Sequence, residues 1–227
     1  MRSRHRRLTP WRKRVLEAQI VVLAKEPRPG RVKTRLTPPL TPQQAADVAA
    51  AALHDTLDAV RATPVAHRLL VLDGSADRLD TTSFGVHPQS AGGLDVRLAA
   101  AFRTAYDANP LPTLLVGMDT PQLTPALLTD VLEQLLAGTG AVLGAAQDGG
   151  WWALGLHRPD DRLLVGVPMS SPDTGRHQRQ RLDEAGLTVA DLPVLRDIDE
   201  VADLLAVAEL IPTGRLAGVV NALSVAA

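Results

Sequence analysis

Residues Ala24 to Leu36 read AKEPRPGRVKTRL. They follow the apolar run Ile20-Val21-Val22-Leu23, which predicts a buried strand. Pro27, Pro29 and Gly30 then forbid an immediate helix, so a stiff, shaped loop is expected. Lys25, Arg28, Arg31, Lys33 and Arg35 lie in or beside it. A strand end, a glycine turn and converging cations make a site for a phosphorylated ligand. The spacing is neither a Walker A loop nor a G-x-G-x-x-G fingerprint. A merely solvated basic loop has the same charge pattern. The position after the first strand favours a site, because open α/β sheets bind ligands at the carboxyl ends of their strands.

Outward from this loop, apolar runs alternate with helical patterns. Thr41-Pro42 predicts a capped helix through Val60, and HRLLVL at 67–72 a second strand. His54 and Asp55 on that helix read as structural. A short third strand is expected at 84–87, then a helix opened by QSAGGLDVRL and running to about Ala108. TLLVG at 113–117 is continuous and apolar, as a central parallel strand should be. Further strands are expected at 141–145, 151–156 and 189–195, with helices starting near Thr124, Asp173 and Asp199. A short last helix is expected in the Ala- and Val-rich end of the chain. This alternation predicts a three-layer α/β fold with a mainly parallel sheet.

The 227 residues suit one large domain, taken as 17–227. Residues 1–16 carry seven cations and no acid, and are expected to be a disordered basic tail. The next apolar stretch is short and lacks a cleavage site, which argues against secretion. A net charge of −1 gives no drive toward nucleic acid or an anionic membrane. Without cysteine there is no disulfide, thiolate or iron–sulfur chemistry, which suits the cytoplasm. No apolar run reaches the length of a membrane span. The oligomeric state is open.

Several residues could carry chemistry. Asp119 ends the fourth strand, where a buried carboxylate needs a partner; Mg²⁺ or Mn²⁺ is one, a turn cap another. Asp197 and Asp199 follow the last strand and could complete a metal site, although Asp199 is also a natural helix N-cap. Asp148 precedes Gly149 and Gly150, which allow close backbone approach; it is a candidate general base or a hairpin-turn residue. Trp151 and Trp152 should point to opposite faces of a strand, so one can face a sugar or base while the other is core. Gly92 and Gly93 could bring backbone N–H groups to a ligand. Ser170 and Ser171 could bind an acceptor, or belong to a plain polar loop.

The opening segment resembles the pattern A-K-x-P-x-x-G-x-x-K-T-R-L of small bacterial glycosyltransferase-like proteins of the GT-A, nucleotide-diphospho-sugar transferase superfamily, some linked with arsenosugar biosynthesis. Gly117-Met118-Asp119-Thr120-Pro121-Gln122-Leu123, Gln147-Asp148-Gly149-Gly150-Trp151-Trp152 and Leu195-Arg196-Asp197-Ile198-Asp199 match in order. The matches span about residues 18–210. The family usually has Gly-Asp-Leu-Gly where this chain has Gly92-Gly93-Leu94-Asp95, a variant similar to a stretch of phospholactate guanylyltransferases. The resemblance implies a GT-A fold with an antiparallel strand in a mixed sheet. It implies a metal-dependent glycosyltransferase using a nucleotide-sugar and a small-molecule acceptor. Lys25, Gly30, Arg31, Lys33 and Arg35 would bind the nucleotide diphosphate, with Gly92 and Gly93. Asp119, with Asp197 or Asp199, would hold the metal, and Asp148 would activate the acceptor beside Gly149, Gly150, Trp151, Ser170 and Ser171. One alternative is a nucleotidyltransferase that joins a nucleoside triphosphate to a phosphorylated molecule and releases pyrophosphate. Another is a nucleotide-binding protein without catalysis.

Overall fold

The computed structural model describes residues 14–225. Seven strands form one sheet: β1 (Leu16–Lys25), β2 (Val65–Asp73), β3 (Gly85–Pro88), β4 (Thr113–Gly117), β5 (Ala141–Ala146), β6 (Trp151–Leu156) and β7 (Val189–Leu195). Their order is β3-β2-β1-β4-β6-β5-β7. Every paired neighbour is parallel except at β6, which runs antiparallel to both β4 and β5. The described residues also form α1 (Pro42–Ala62), α2 (Leu94–Ala108), α3 (Pro125–Leu136), α4 (Thr174–Glu184), α5 (Val201–Leu210) and α6 (Arg215–Val225). This is the expected mixed α/β sheet of a GT-A fold.

Strand alternation divides β1 between two cores. Ile20 and Val22 pack with Leu53, Leu57, Leu128 and Leu132 of α1 and α3. Val21 packs on the other face with Leu98, Phe102 and Leu182 of α2 and α4. These are the three layers. A third apolar cluster joins the outer side of α1 to α5 and α6. Asp55 fastens α6 there, accepting the Arg215 N–H at 2.9 Å and the Leu216 N–H at 3.0 Å. Its structural reading, and that of His54, which bonds the Ala50 carbonyl one turn back, agree with this packing.

The helix signals act through side chains. Thr41 and Gln44 form a capping box at α1, and the Thr124 hydroxyl accepts the Leu127 N–H at α3. Two boundaries differ from the sequence reading. Leu16, assigned to the tail, opens β1 and is 3% exposed; the rest of the tail up to residue 13 lies outside the described residues. Glu200, not Asp199, is the N-cap of α5, because Glu200 and Asp203 form the reciprocal capping pair. That leaves the Asp199 carboxylate available elsewhere. Among the described residues no helix is long and apolar enough to cross a membrane.

Candidate functional site

The chain leaves β1 toward one side of the sheet and returns through β4 on the other, so a crevice opens at the carboxyl ends of these two strands. Reversal of β6 adds its first residues to the same edge. A cleft of about 640 Å³ lies there. Its lining brings together Lys25, Arg31, Lys33 and Arg35 with Asp119, Asp148, Asp197, Asp199, Gly150, Trp151, Ser170 and Ser171. Four predicted residues do not line it: Gly30, Gly92, Gly93 and Gly149. Gly30 turns the loop at φ +75°, and Gly93 is the N-cap of α2. Gly149, at φ +88°, packs against the Pro172 carbonyl, which a Cβ there would meet at 1.9 Å. These glycines shape the backbone around the cleft.

The acids divide differently from the expectation. Asp148, Asp197 and Asp199 each offer an oxygen within 4.8 Å of the others. Asp119 is not in this group. Its Oδ1 lies 2.5 Å from Lys33 Nζ, and its backbone carbonyl accepts the Ile198 N–H at 3.1 Å. Lys33 also donates to the Ile198 carbonyl, and its side chain is only 6% exposed. Its backbone is left-handed at φ 48°, uncommon for a side-chain-bearing residue. Lys33 and Asp119 therefore bolt the basic loop to the segment that carries Asp197 and Asp199. Arg35 bridges the same two segments by a bond of 2.6 Å to Asp199. Lys25 and Arg31 are exposed and have no ion pair among the described residues.

Like charges at this spacing oppose ionisation. Burial, with help from Asp148 and Asp199, pushes the Asp197 carboxyl up to about 6, against the pull of Lys33. Three carboxylates are an oxygen-only donor set, which suits a hard divalent cation such as Mg²⁺ or Mn²⁺, and a cation there would relieve their repulsion. Asp148 is the exposed member and sits in the hairpin turn between β5 and β6, its Oδ1 accepting the Gly150 N–H at 2.7 Å. Asp148 thus occupies the turn and also borders the cleft. Trp152 is core, donating its ring N–H to the Pro193 carbonyl, while Trp151 packs on the opposite core; both reach the cleft wall.

Sequence reasoning missed Gln89 and Arg97, which also line the cleft. The Gln89 amide donates to the Ala24 carbonyl at 2.7 Å, and Arg97 donates to Gln89 Oε1 at 3.1 Å. Helical spacing could have found Arg97, three residues after Leu94 and on the same face. Asp95, in the variant glycine stretch, turns away and accepts the Gly166 N–H, which with other backbone donors holds its carboxyl below the usual range.

A family model described as "Uncharacterized protein conserved in bacteria (DUF2064)" matches residues 56–171, just over half of the chain. The chain belongs to the DUF2064 family. Among curated proteins, none matches it. Solved structures share the DUF2064 chain's fold. A protein from Desulfovibrio desulfuricans G20, provisionally named a nucleotide-diphospho-sugar transferase, superposes with a TM-score of 0.83 at 23% identity, covering 92% of this chain and 96% of that one. Rv0371c of Mycobacterium tuberculosis H37Rv, in complex with manganese, gives 0.51 at 23% identity over 86% and 99%. The 2-C-methyl-D-erythritol 4-phosphate cytidylyltransferase of Thermus thermophilus gives 0.52 at 18% identity over 87% and 100%. At these identities the likeness establishes the nucleotide-diphospho-sugar transferase fold.

Proposed function

We propose that this DUF2064 chain is a divalent-metal-dependent transferase that moves a glycosyl group from a nucleotide-sugar to a small-molecule acceptor. One observation carries the reading: a trio of carboxylates and a loop of cations face each other across a single cleft at the carboxyl edge of the sheet. Lys25 and Arg31 hold the donor's diphosphate by charge-assisted hydrogen bonds, and Arg35 can join them. Asp197 and Asp199, with an oxygen of Asp148, would hold Mg²⁺ or Mn²⁺. The chemistry a cation held there would supply is neutralisation of the charge on a leaving nucleoside diphosphate. Lys33 and Asp119 keep the basic loop and the acid segment in register. Asp148, exposed at the turn, takes the proton of the acceptor hydroxyl.

Nucleotidyl transfer is the second reading, favoured by the fold's likeness to a cytidylyltransferase. The same cations and acids serve it. The leaving group separates the two. Purified protein with Mn²⁺ is incubated with nucleotide-sugars and, separately, with nucleoside triphosphates and sugar phosphates. Release of nucleoside diphosphate from a nucleotide-sugar, lowered about 10²–10⁴-fold in Asp148→Asn, is the expected result. Pyrophosphate from a triphosphate, with no diphosphate from any nucleotide-sugar, would replace glycosyl with nucleotidyl transfer.

A further inference from the structure

The two walls of the cleft differ in charge. Its cations come from residues 25–35 and from Arg97. The wall built from the β5–β6 turn and the segment before α4 contributes no cation to the lining, although it borders Asp148, Asp197 and Asp199. What it offers is apolar or hydroxylic. Trp151 and Met169 are partly buried and packed on the core beneath. The Thr174 hydroxyl has its proton committed, accepting the Ser171 N–H and donating to the Pro168 carbonyl. The Ser171 hydroxyl accepts the Asp173 N–H and keeps its own proton to donate. Ser170 is exposed with no hydroxyl partner among the described residues, and sits at φ 56°, a left-handed conformation that side-chain-bearing residues hold mostly at functional or turn positions.

This wall is preformed. The Gly175 N–H donates to the Gly149 carbonyl at 2.8 Å, and a Cβ at Gly175 would stand 2.6 Å from the Gly150 carbonyl oxygen. The hairpin turn and the start of α4 thus touch through backbone alone.

We propose, resting on the transferase reading, that this wall is the acceptor subsite and takes an uncharged polyhydroxylic molecule with an apolar face, a sugar or polyol, while rejecting the phosphorylated form. A phosphate placed here would meet Asp148 and Asp197, which have no ion pair among the described residues, and Asp199, whose partner Arg35 belongs to the opposite wall. A bound dication would still leave the acid group at a net charge of about −1 when all three are ionised. Trp151 supplies a flat apolar surface for the ring or carbon chain, and Ser170 and Ser171 supply the donors.

The test is saturation-transfer NMR on the whole protein with Mg²⁺ and whichever of UDP, GDP and CDP stabilises it most, so that the basic loop is filled. The probes are two pairs, glucose with glucose 6-phosphate and glycerol with glycerol 3-phosphate. Transfer to the neutral member should exceed that to its phosphate by about tenfold or more. Trp151→Ala should abolish it, and Ser171→Arg should raise phosphate binding several-fold. Equal or stronger binding of the phosphates by wild type, no binding of either neutral probe, or neutral binding untouched by Trp151→Ala would each overturn the proposal. If no nucleoside diphosphate binds at all, the transferase reading falls instead; the wall is then judged by the same ratio on the Mg²⁺-loaded protein.

Discussion

Arg35 Nη1 stands 2.6 Å from Asp199 Oδ2, so one expected phosphate ligand is bonded to one expected metal ligand. The pair is well exposed, with 68% and 35% of the two side chains accessible, and pairs of this kind hold with only about 0.2–1 kcal/mol. It is therefore cheap to exchange. Arg35→Gln should bind Mn²⁺ more tightly than wild type in the absence of nucleotide, by about 1.4- to 5-fold, while binding nucleoside diphosphate more weakly. Calorimetric titration of each ligand alone reads both effects. Weaker Mn²⁺ binding in the variant would mean that Arg35 holds Asp199 in place.

Lys33 is a different kind of cation. Its buried side chain serves Asp119 and the Ile198 carbonyl together. Lys33→Met keeps the apolar stem and strands both partners. Loss of a fully buried pair costs about 3–5 kcal/mol; Asp119 is 47% exposed, and solvent screening lowers the expected cost to about 1–2 kcal/mol. Urea unfolding measures it. The Mn²⁺ affinity should fall as well, because Ile198 lies between Asp197 and Asp199. Unchanged stability with lost nucleotide binding would restore Lys33 to the phosphate-gripping role its place in the sequence suggests.

Asp197 sets a pH dependence. Its folded-state pKa, about 6, is above the ordinary 3.8, so between these values the folded state binds more protons than the unfolded one. In metal-free protein the Asp197 contribution is therefore present below about pH 4 and lost as pH rises through about 6. Asp197→Asn should flatten that part of the curve. Denaturant midpoints from pH 4 to 7, compared between the two proteins, test it. A wild-type curve that rises at least as steeply as that of Asp197→Asn would refute the assignment.

Leu16 opens β1. Its backbone N–H donates to the Pro64 carbonyl at 2.8 Å and its side chain is buried in the β1 core. Two truncated chains, one beginning at Val15 and one at Glu17, should differ by about 2–4 kcal/mol in unfolding free energy, the range for removing a buried leucine. Equal stabilities would mean that this end of β1 is not part of the cooperative unit.

Most of the fold was legible because each apolar run is punctuated. Thr41-Pro42 and Thr124-Pro125 cap helices as written, and TLLVG could hardly be anything but a central strand. The four sequence stretches that suggested a site do converge at one edge of the sheet. Which acid keeps company with which was not legible. Asp119 and Asp148 each follow a strand, and only the sheet order puts Asp148 beside Asp197 and Asp199 while Lys33 takes Asp119. Asp199 looked like a cap until Glu200 and Asp203 proved the better-matched pair. Arg97 was legible only through its helical spacing from Leu94, since a lone cation on a helix carries no other local sign of the cleft it faces.

Reversal of β6 also limits what this edge can become. In a wholly parallel sheet each loop at the ligand edge belongs to one crossover and can lengthen without disturbing its neighbours. Here a single four-residue turn carries Asp148 on one arm and leads into Trp151 on the other, and its Gly149 is pressed against Pro172. An inserted residue would shift the acid, the ring and the start of α4 together. On the acceptor-wall proposal, variation in acceptor choice would then come by substitution along residues 169–174, not by growth of the turn.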